Sequence, residues 1–239
     1  MPALSAIGYI FRLMKTAGAD KTAIIIPAYN CAVALGQVLA GIRSIAGQVA
    51  VMVVDDGSTD ETRYVPDEYD CRCIRHEKRK GKGAALRTAL AWAASHEYEY
   101  AITMDADGQH AAADLPAFFA ASGDLAIGKR SFTPGVMPCT RIFSNRISSF
   151  LLTKLTRTVI ADSQCGYRKI RLDAIQGFKS ATNGYQFETE MVLYVALARK
   201  GRIVNVPVRT IYEGQKSYIR HLPDMGEFIR AAITYSKYR

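Results

Sequence analysis

Hydrophobic residues along the first part of the chain alternate between short continuous runs and stretches with helical spacing. Residues 22–27 form a β-branched apolar run closed by a proline, which is typical of a buried parallel strand. The run at residues 49–54 predicts a second strand of the same kind. Between the two runs, a predicted helix has one apolar face formed by Leu35, Val38, Leu39, Ile42 and Ile45. The pattern therefore predicts a strand–helix–strand unit.

The same alternation continues along the chain and predicts the fold class. Strands are expected near residues 73–75 and at 100–104, 124–128 and 203–211, and helices at about 83–95 and 187–200. Pro207 lies inside the last strand and favours an edge position, because proline cannot donate to a strand ladder. We therefore expect an α/β fold, a single Rossmann-like domain with a mainly parallel central sheet flanked by helices. Its core is expected over about residues 22–215, with amphipathic or basic ends at 1–21 and 222–239.

Length and composition exclude several classes of protein. The 239 residues, 49% of them hydrophobic, suffice for one sizeable buried core. No run approaches the roughly 18 apolar residues that a membrane-spanning helix needs, and residues 1–21 lack the apolar core of a secretion signal. The five cysteines form no CxxC pair, which argues against a disulfide framework or a structural zinc site. We therefore expect a cytoplasmic protein that is not integral to the membrane.

The charge is distributed unevenly along the chain. The net charge is +9, but residues 1–125 carry 12 Lys/Arg against 15 Asp/Glu, whereas residues 126–239 carry 19 against 7. A basic half beside an acidic half indicates an anionic partner, which can be a phosphate substrate, an anionic membrane surface or nucleic acid. A solvated basic surface is the alternative.

One basic segment is also amphipathic. Its cationic residues are Arg141, Arg146, Lys154 and Arg157, and Tyr235, Lys237, Tyr238 and Arg239 repeat the combination at the end of the chain. Such a surface suits the interface of an anionic membrane, although a buried helix with a basic outer face explains it equally well. The apolar residues of the segment are Ile142, Phe143, Ile147, Phe150, Leu151, Leu152 and Leu155.

Polar loops follow three of the predicted strands, where open α/β sheets place their ligands. Residues 27–30, 55–60 and 105–109 should therefore converge on one crevice. Asp105 and Asp107 are one residue apart, so a turn can direct both carboxylates toward a divalent cation, with Gln109 as a further oxygen donor. These hard oxygen ligands suit Mg²⁺ or Mn²⁺ bridging a diphosphate, whereas an ordinary surface turn is the alternative.

The remaining polar segments allow more than one interpretation. Carboxylates at residues 55–60 either accept hydrogen bonds from a base and ribose or cap the next helix. Residues 78–83 combine cations with glycines ahead of a predicted helix, which fits either a bound diphosphate or a solvated loop, and no Walker A pattern is present. Glu188 and Glu190 suit the dipole at the start of the late helix, and His110 is expected to be a polar surface residue.

Five segments in order resemble family 2 glycosyltransferases of the GT-A fold, in particular dolichyl-phosphate mannose synthases and bacterial polyprenyl-phosphate glycosyltransferases. The ordered set spans roughly residues 22–215 and is more specific than any single motif. The segments are Ile26-Pro27-Ala28-Tyr29-Asn30, Val53-Val54-Asp55-Asp56-Gly57-Ser58-Thr59-Asp60, Gly81-Lys82-Gly83, Met104-Asp105-Ala106-Asp107-Gly108-Gln109-His110 and Asp162-Ser163-Gln164-Cys165-Gly166-Tyr167-Arg168.

The resemblance assigns roles to individual residues. It implies that a metal ion, Mg²⁺ or Mn²⁺, is held by Asp105, Asp107 and Gln109. The nucleotide-sugar donor would be bound by Pro27, Ala28, Tyr29, Asp55, Asp56, Gly57, Lys82, Asp105 and Ala106. The phosphate of a lipid acceptor would be bound by Arg130, Arg141, Arg146, Gln164 and Arg168. Many relatives have Glu where this chain has Cys31, and a thiol accepts hydrogen bonds poorly, so their nucleotide preference does not carry over.

The implied reaction moves a hexose, with inversion, from a GDP-mannose or UDP-glucose type of donor to a polyprenyl or dolichyl phosphate. The catalytic residues would be Asp105 and Asp107, with Asp162 as the base if the acceptor is instead a saccharide or lipid hydroxyl. The enzyme would lie peripherally on the inner face of the membrane. The chain lacks the glycine-rich segment near the N-terminus that a nucleotidyltransferase would need. A nucleic-acid-binding module would not explain three acidic loops at strand ends, so we expect no nucleic-acid partner.

Overall fold

The computed structural model describes residues 18–131, 138–180, 182–184, 186–211, 230–231, 233–235 and 238. The predicted amphipathic start at residues 1–17 and most of the predicted basic end, including Lys237 and Arg239, lie outside the described residues.

A seven-stranded sheet forms the centre of the described part of the protein, in the order β3-β2-β1-β4-β6-β5-β7. The strands β1, β2, β3 and β4 are parallel, and β7 is parallel to β5. Only β6 among these seven runs antiparallel to its neighbours β4 and β5. The mainly parallel α/β sheet predicted from the sequence is confirmed. The strands are β1 Thr22–Ala28, β2 Ala50–Asp55, β3 Arg72–Arg75, β4 Tyr100–Thr103, β5 Leu125–Arg130, β6 Arg168–Arg171 and β7 Ile203–Val208.

Helices cover the sheet and complete the core. Residues 22–26 of β1 are fully buried, as a strand covered on both faces requires. The predicted face of the first helix packs inward through Leu35, Leu39 and Ile42. The helices are α1 Ala32–Ala46, α2 Val65–Glu68, α3 Lys82–Ser95, α4 Leu115–Ala120, α5 Cys139–Thr156 and α6 Gln186–Leu193.

Two elements differ from the sequence-based expectation. The predicted helix at residues 187–200 is α6 followed by a π-helix, Tyr194–Ala198. The sequence did not predict the π-helix, because a hydrophobic pattern over one turn does not distinguish the two helical periods. The last strand ends at Val208 rather than at residue 211. Its edge position is confirmed, and Pro207 lies in it as predicted. None of the described helices is long and apolar enough to cross a bilayer.

Candidate active site

The parallel register of β1, β2 and β4 brings three loops to the same edge of the sheet. The loops after β1 and β2 are joined directly, because Asn30 N donates to Ser58 Oγ at 2.9 Å and Thr59 N donates to Asn30 Oδ1 at 2.9 Å. At the root of the two loops, Asp56 N donates to Ala28 O at 2.8 Å. The loops thus form one rigid wall of a crevice, and Pro27 lies partly exposed in it.

Asp56 organises the cationic loop that the sequence places at residues 78–81. Its two carboxylate oxygens accept hydrogen bonds from Lys80 N at 2.9 Å and Gly81 N at 2.7 Å, and His76 Nδ1 lies 2.7 Å from Oδ1. Only 4% of Asp56 is exposed. The structure therefore corrects the prediction that Asp56 contacts the nucleoside, since its oxygens are already used to shape the loop.

The same loop lies tightly against the turn after β2. A Cβ added to Gly57, which has φ +76°, would lie 2.7 Å from the backbone carbon of Lys78, so only glycine fits. Asp55 next to it is buried, and its Oδ1 accepts from Ser58 N at 2.8 Å. Its Oδ2 makes no hydrogen bond among the described residues and lies 3.3 Å from Arg75 Nε. A buried oxygen without a hydrogen bond is unusual and marks Asp55 as a nucleoside-contact candidate.

Tyr29 presents an aromatic ring at the mouth of the crevice. The residue is 36% exposed, and the guanidinium of Arg79 lies 4.2 Å from the ring centroid, a cation–π distance. Cys31 follows it, and burial raises the pKa of this thiol to about 11, so it stays uncharged. The position where many relatives have a glutamate thus carries no charge in this protein.

Asp105 lies at the centre of the site and remains ionised. Its Oδ1 is 2.7 Å from Lys82 Nζ, and its side chain is 28% exposed. Burial alone would raise the pKa of Asp105, but the Lys82 ammonium outweighs this effect, and with a further contribution from Arg130 the pKa is about 2. The carboxylate of Asp105 is therefore negatively charged at any physiological pH.

His110 supports the acidic loop from inside the protein, contrary to the surface role predicted for it. Its Nδ1 accepts a hydrogen bond from Asp105 N at 2.8 Å, and its ring stacks on Tyr167 at a centroid distance of 4.9 Å. Burial lowers the pKa of His110 to about 4, so the ring is neutral and carries its proton on Nε2. A single histidine in a sequence gives no signal of such a contact.

Asp107 is exposed on the turn that follows the buried Ala106. Its Oδ1 accepts from Gln109 N at 3.0 Å, and Gly108 makes the turn with φ +80°. Loss of solvent around the carboxylate and the charge of Asp105 both raise the pKa of Asp107. A cation bound between the two carboxylates would relieve this repulsion.

The donor set fits a divalent metal ion that is also held by its substrate. The described residues contain no cluster of three His, Cys, Asp or Glu side chains placed to hold a metal. Mg²⁺ and Mn²⁺ commonly use one or two carboxylates together with substrate phosphates and water, so Asp105, Asp107 and the amide of Gln109 suit them.

Glu188 adds a third carboxylate that the sequence analysis did not join to this site, and it does so through Lys82, which the resemblance assigned to donor binding. Lys82 is the first residue of α3, and its Nζ lies 3.1 Å from Glu188 Oε2. A Cβ on Gly166 would lie 2.7 Å from Asp105 Oδ2 and 2.9 Å from Lys82 Nζ. A side chain at position 166 would therefore displace the ends of Lys82 and Asp105 from their present contact.

Arg130 and Asp162 form a buried bidentate pair beside the acidic loop. Arg130 Nε donates to Asp162 Oδ2 at 2.7 Å and its Nη2 donates to Oδ1 at 2.9 Å. Asn145 Nδ2 also donates to Oδ1 at 2.6 Å, and Asp162 is fully buried. The oxygens of Asp162 are thus occupied in holding Arg130 and Asn145, which argues against its predicted role as the base for a hydroxyl acceptor.

Arg168 has a structural position, so its predicted contact with the acceptor phosphate is also corrected. It is 2% exposed, and its guanidinium donates to the carbonyl oxygens of Cys165, Ser163 and Glu188. Gln164, by contrast, is partly exposed and donates to Ser144 Oγ at 3.3 Å. The sequence could not show that one of these two residues is buried and the other accessible, because both belong to the same polar motif.

Helix α5 carries the other predicted acceptor residues and an unusual exposed face. Arg141 is partly exposed and Arg146 is exposed. Phe143 is 68% exposed and Phe150 is 59% exposed, whereas Ile142 and Leu152 face the core. Of the apolar residues that the sequence analysis assigned to the segment, Ile142 and Leu152 are therefore part of the core and not of the outward face. One exposed stripe with helical spacing contains Phe143, Arg146, Phe150, Lys154 and Arg157.

Known proteins resemble this chain in both sequence and structure. The model of the glycosyl transferase family 2 matches residues 23–130. The UDP-N-acetylglucosamine–dolichyl-phosphate N-acetylglucosaminyltransferase of Methanococcus voltae is 30% identical, with 81% of this chain and 87% of the relative covered. The polyprenol monophosphomannose synthase of Mycolicibacterium smegmatis is 30% identical, with coverages of 79% and 77%. The structure of glucosyl-3-phosphoglycerate synthase from Mycobacterium tuberculosis with uridine diphosphate has a TM-score of 0.70 at 18% identity, with coverages of 97% and 84%.

The sheet order, the loops at its carboxyl edge and the structural neighbours define a protein of the GT-A fold. The match of the family model and the relatives at 30% identity show the family as well. The chain belongs to glycosyl transferase family 2 and is a glycosyltransferase.

Proposed function

We propose that this enzyme transfers a hexosyl group, with inversion, from a nucleotide-diphosphate sugar to a polyprenyl phosphate. The observation that carries the proposal is that a site suited to the donor diphosphate and a site suited to the acceptor phosphate lie close together in one crevice. Asp105 and Lys82 would face the donor diphosphate. Arg130 is held by Asp162, and Gly166 in the same loop as Asp162 packs against Asp105 and Lys82. A lipid-phosphate acceptor is the substrate named for the relatives in Methanococcus and Micrococcus.

The donor half of the site would work with a divalent metal ion, Mg²⁺ or Mn²⁺. Asp105 and Asp107 would hold it, with Gln109 as a further oxygen ligand, and the ion would offset the charge of the leaving diphosphate. Tyr29 offers a ring for the base, and Asp55 offers the oxygen that makes no hydrogen bond among the described residues. A Mycobacterium tuberculosis neighbour was solved with Mn²⁺ and uridine diphosphate, which supports a metal–nucleotide pair as the ligand.

The acceptor half of the site would bind a phosphate monoester through guanidinium groups. Asp162 keeps Arg130 charged and oriented, since its hydrogen bonds raise the pKa of Arg130 against the lowering effect of burial. Asn145 anchors α5 to the same carboxylate, and we propose that Arg141 and Arg146 on that helix also contact the phosphate. A phosphate monoester is largely ionised near neutral pH and attacks without a general base. That chemistry agrees with Asp162 being engaged in other contacts.

A transfer assay tests the proposed function. Labelled GDP-mannose, UDP-glucose and UDP-N-acetylglucosamine are incubated separately with the enzyme, Mn²⁺ or Mg²⁺, and either undecaprenyl phosphate or the matching free alcohol. We expect one donor to label undecaprenyl phosphate in a product that mild acid hydrolyses, as a glycosyl phosphate must. Label that enters only the alcohol, in an acid-stable product, would show a hydroxyl-directed enzyme instead.

We further propose that the exposed face of α5 holds the enzyme on the inner face of the membrane. Two exposed phenylalanines flanked by Arg146, Lys154 and Arg157 combine apolar insertion with attraction to anionic lipid.

The double variant Phe143→Ser/Phe150→Ser should lose most of its flotation with phosphatidylglycerol liposomes, and salt should weaken the flotation of the unchanged enzyme. The matched control is Tyr64→Ser, because Tyr64 is 48% exposed beside Arg63 but lies away from α5. Equal flotation of all three proteins would refute the proposal.

A further inference from the structure

Glu188 lies where two segments distant in sequence are locked together at the donor site. It is in the first turn of α6, and Lys82 begins α3. Gly83 N donates to Asn183 O at 2.8 Å, and a Cβ on Gly81 would lie 2.5 Å from the same oxygen. The starts of the two helices are therefore held at a fixed separation, and the side chains of Lys82 and Glu188 meet because of it.

The ammonium of Lys82 lies between two carboxylates. Its Nζ is 2.7 Å from Asp105 Oδ1 and 3.1 Å from Glu188 Oε2. The side chains of Lys82 and Glu188 are only 16% and 10% exposed, so water screens their attraction weakly. One of the two carboxylates, Asp105, is needed for the metal ion, whereas Glu188 has no such role in the proposed reaction.

The second oxygen of Glu188 does not serve the fold through a hydrogen bond. Oε1 is buried and makes no hydrogen bond among the described residues, and it lies 3.8 Å from Arg168 Nε. The guanidinium of Arg168 instead donates to three carbonyl oxygens. A buried oxygen without a hydrogen bond destabilises a fold, and an ion pair at 3.8 Å offsets this only in part. Stability of the fold therefore does not by itself account for this carboxylate.

We propose that Glu188 is a positioning residue for the Lys82 ammonium and keeps it at the donor site when Asp105 turns to a metal ion. Without donor, Asp105 and Glu188 share the ammonium. With donor, Lys82 leaves Asp105, remains against Glu188 and donates to the leaving diphosphate. The inference rests on the proposed function, because it assigns a partner for Lys82 within that donor site.

A double-mutant cycle with Lys82→Met, Glu188→Gln and their combination tests this role. Isothermal titration measures binding of Mn²⁺ alone, and then of uridine or guanosine diphosphate in the presence of Mn²⁺. Lys82→Met should tighten binding of Mn²⁺ alone, because the ammonium no longer competes for Asp105, and should weaken binding of the nucleotide. Glu188→Gln should weaken nucleotide binding about tenfold, but add little in the Lys82→Met background.

The matched control is Glu190→Gln, on the same helix and equally buried at 8% exposed. It should bind Mn²⁺ and nucleotide like the unchanged enzyme. If Glu188→Gln folds poorly in urea titrations, Glu188→Asp retains the charge, shortens the reach to Lys82 and should give the same coupling. Equal losses from Glu188→Gln with and without Lys82, or no loss at all, would overturn the inference while leaving the proposed function intact. An unchanged enzyme that binds neither nucleotide would remove both.

Discussion

Replacing Asp107 with alanine should lower the rate of sugar transfer about a thousandfold, because the charge stabilisation that a metal ion supplies is worth several kcal/mol. Asp107 is exposed and accepts a hydrogen bond from Gln109 N within its own turn, so the fold should survive the change. Initial rates at saturating Mn²⁺ measure the loss. Calorimetry of Mn²⁺ with nucleoside diphosphate should show a parallel loss of affinity.

The control for this experiment is Asp173→Ala. Asp173 is also an exposed carboxylate, but it follows Arg171, which pairs with Tyr100 at the end of β4 away from Asp105. Its removal changes the net charge by the same amount and should leave the rate within a factor of about two, as surface substitutions usually do. If Asp107→Ala kept the full rate and the full metal affinity, Asp107 would not belong to the site.

The sheet could be predicted from the sequence because its determinants are local. The run at residues 22–27 is apolar and β-branched, and only a strand buried on both faces uses such a run. Pro207 identified an edge strand for an equally local reason, since it removes one donor from the ladder. The π-helix after α6 was not predicted, because its hydrogen bonds, such as Arg199 N to Tyr194 O, leave no distinct pattern of apolar residues.

The sequence predicted the part of the candidate site that the positions of the strand ends determine, which is the meeting of three loops at one edge of the sheet. The loops after β1, β2 and β4 follow from parallel strands, so their meeting required no contact information. Which polar residue faces the crevice depends on pairing across long stretches of chain. Glu188 meets Lys82, and Arg130 meets Asp162, only in the folded molecule. Arg168 and His110 were misjudged for the same reason, because their burial depends on tertiary packing.

Asp162→Ala should lower the free energy of unfolding by about 3–5 kcal/mol, the cost of leaving one partner of a buried ion pair alone. Arg130 would lose both hydrogen bonds of the bidentate pair while its side chain stays only 13% exposed, and Asn145 would lose its acceptor as well. Urea titration followed by circular dichroism measures the loss. The size of the effect is set by burial rather than by the short distance between the charges.

Arg171→Met is the control that separates burial from distance. Arg171 lies 2.7 Å from Asp124, the same N–O distance as in the Arg130–Asp162 pair, but its side chain is 47% exposed. Water screens that pair, so its loss should cost less than about 1 kcal/mol.

The double variant Arg130→Met/Asp162→Leu should recover stability relative to Asp162→Ala, because it removes the uncompensated charge. It should still lack transfer to polyprenyl phosphate, since the guanidinium that would bind the acceptor is gone. A double variant as unstable as Asp162→Ala would show that the carboxylate stabilises the fold mainly through Asn145 and α5, and not through Arg130.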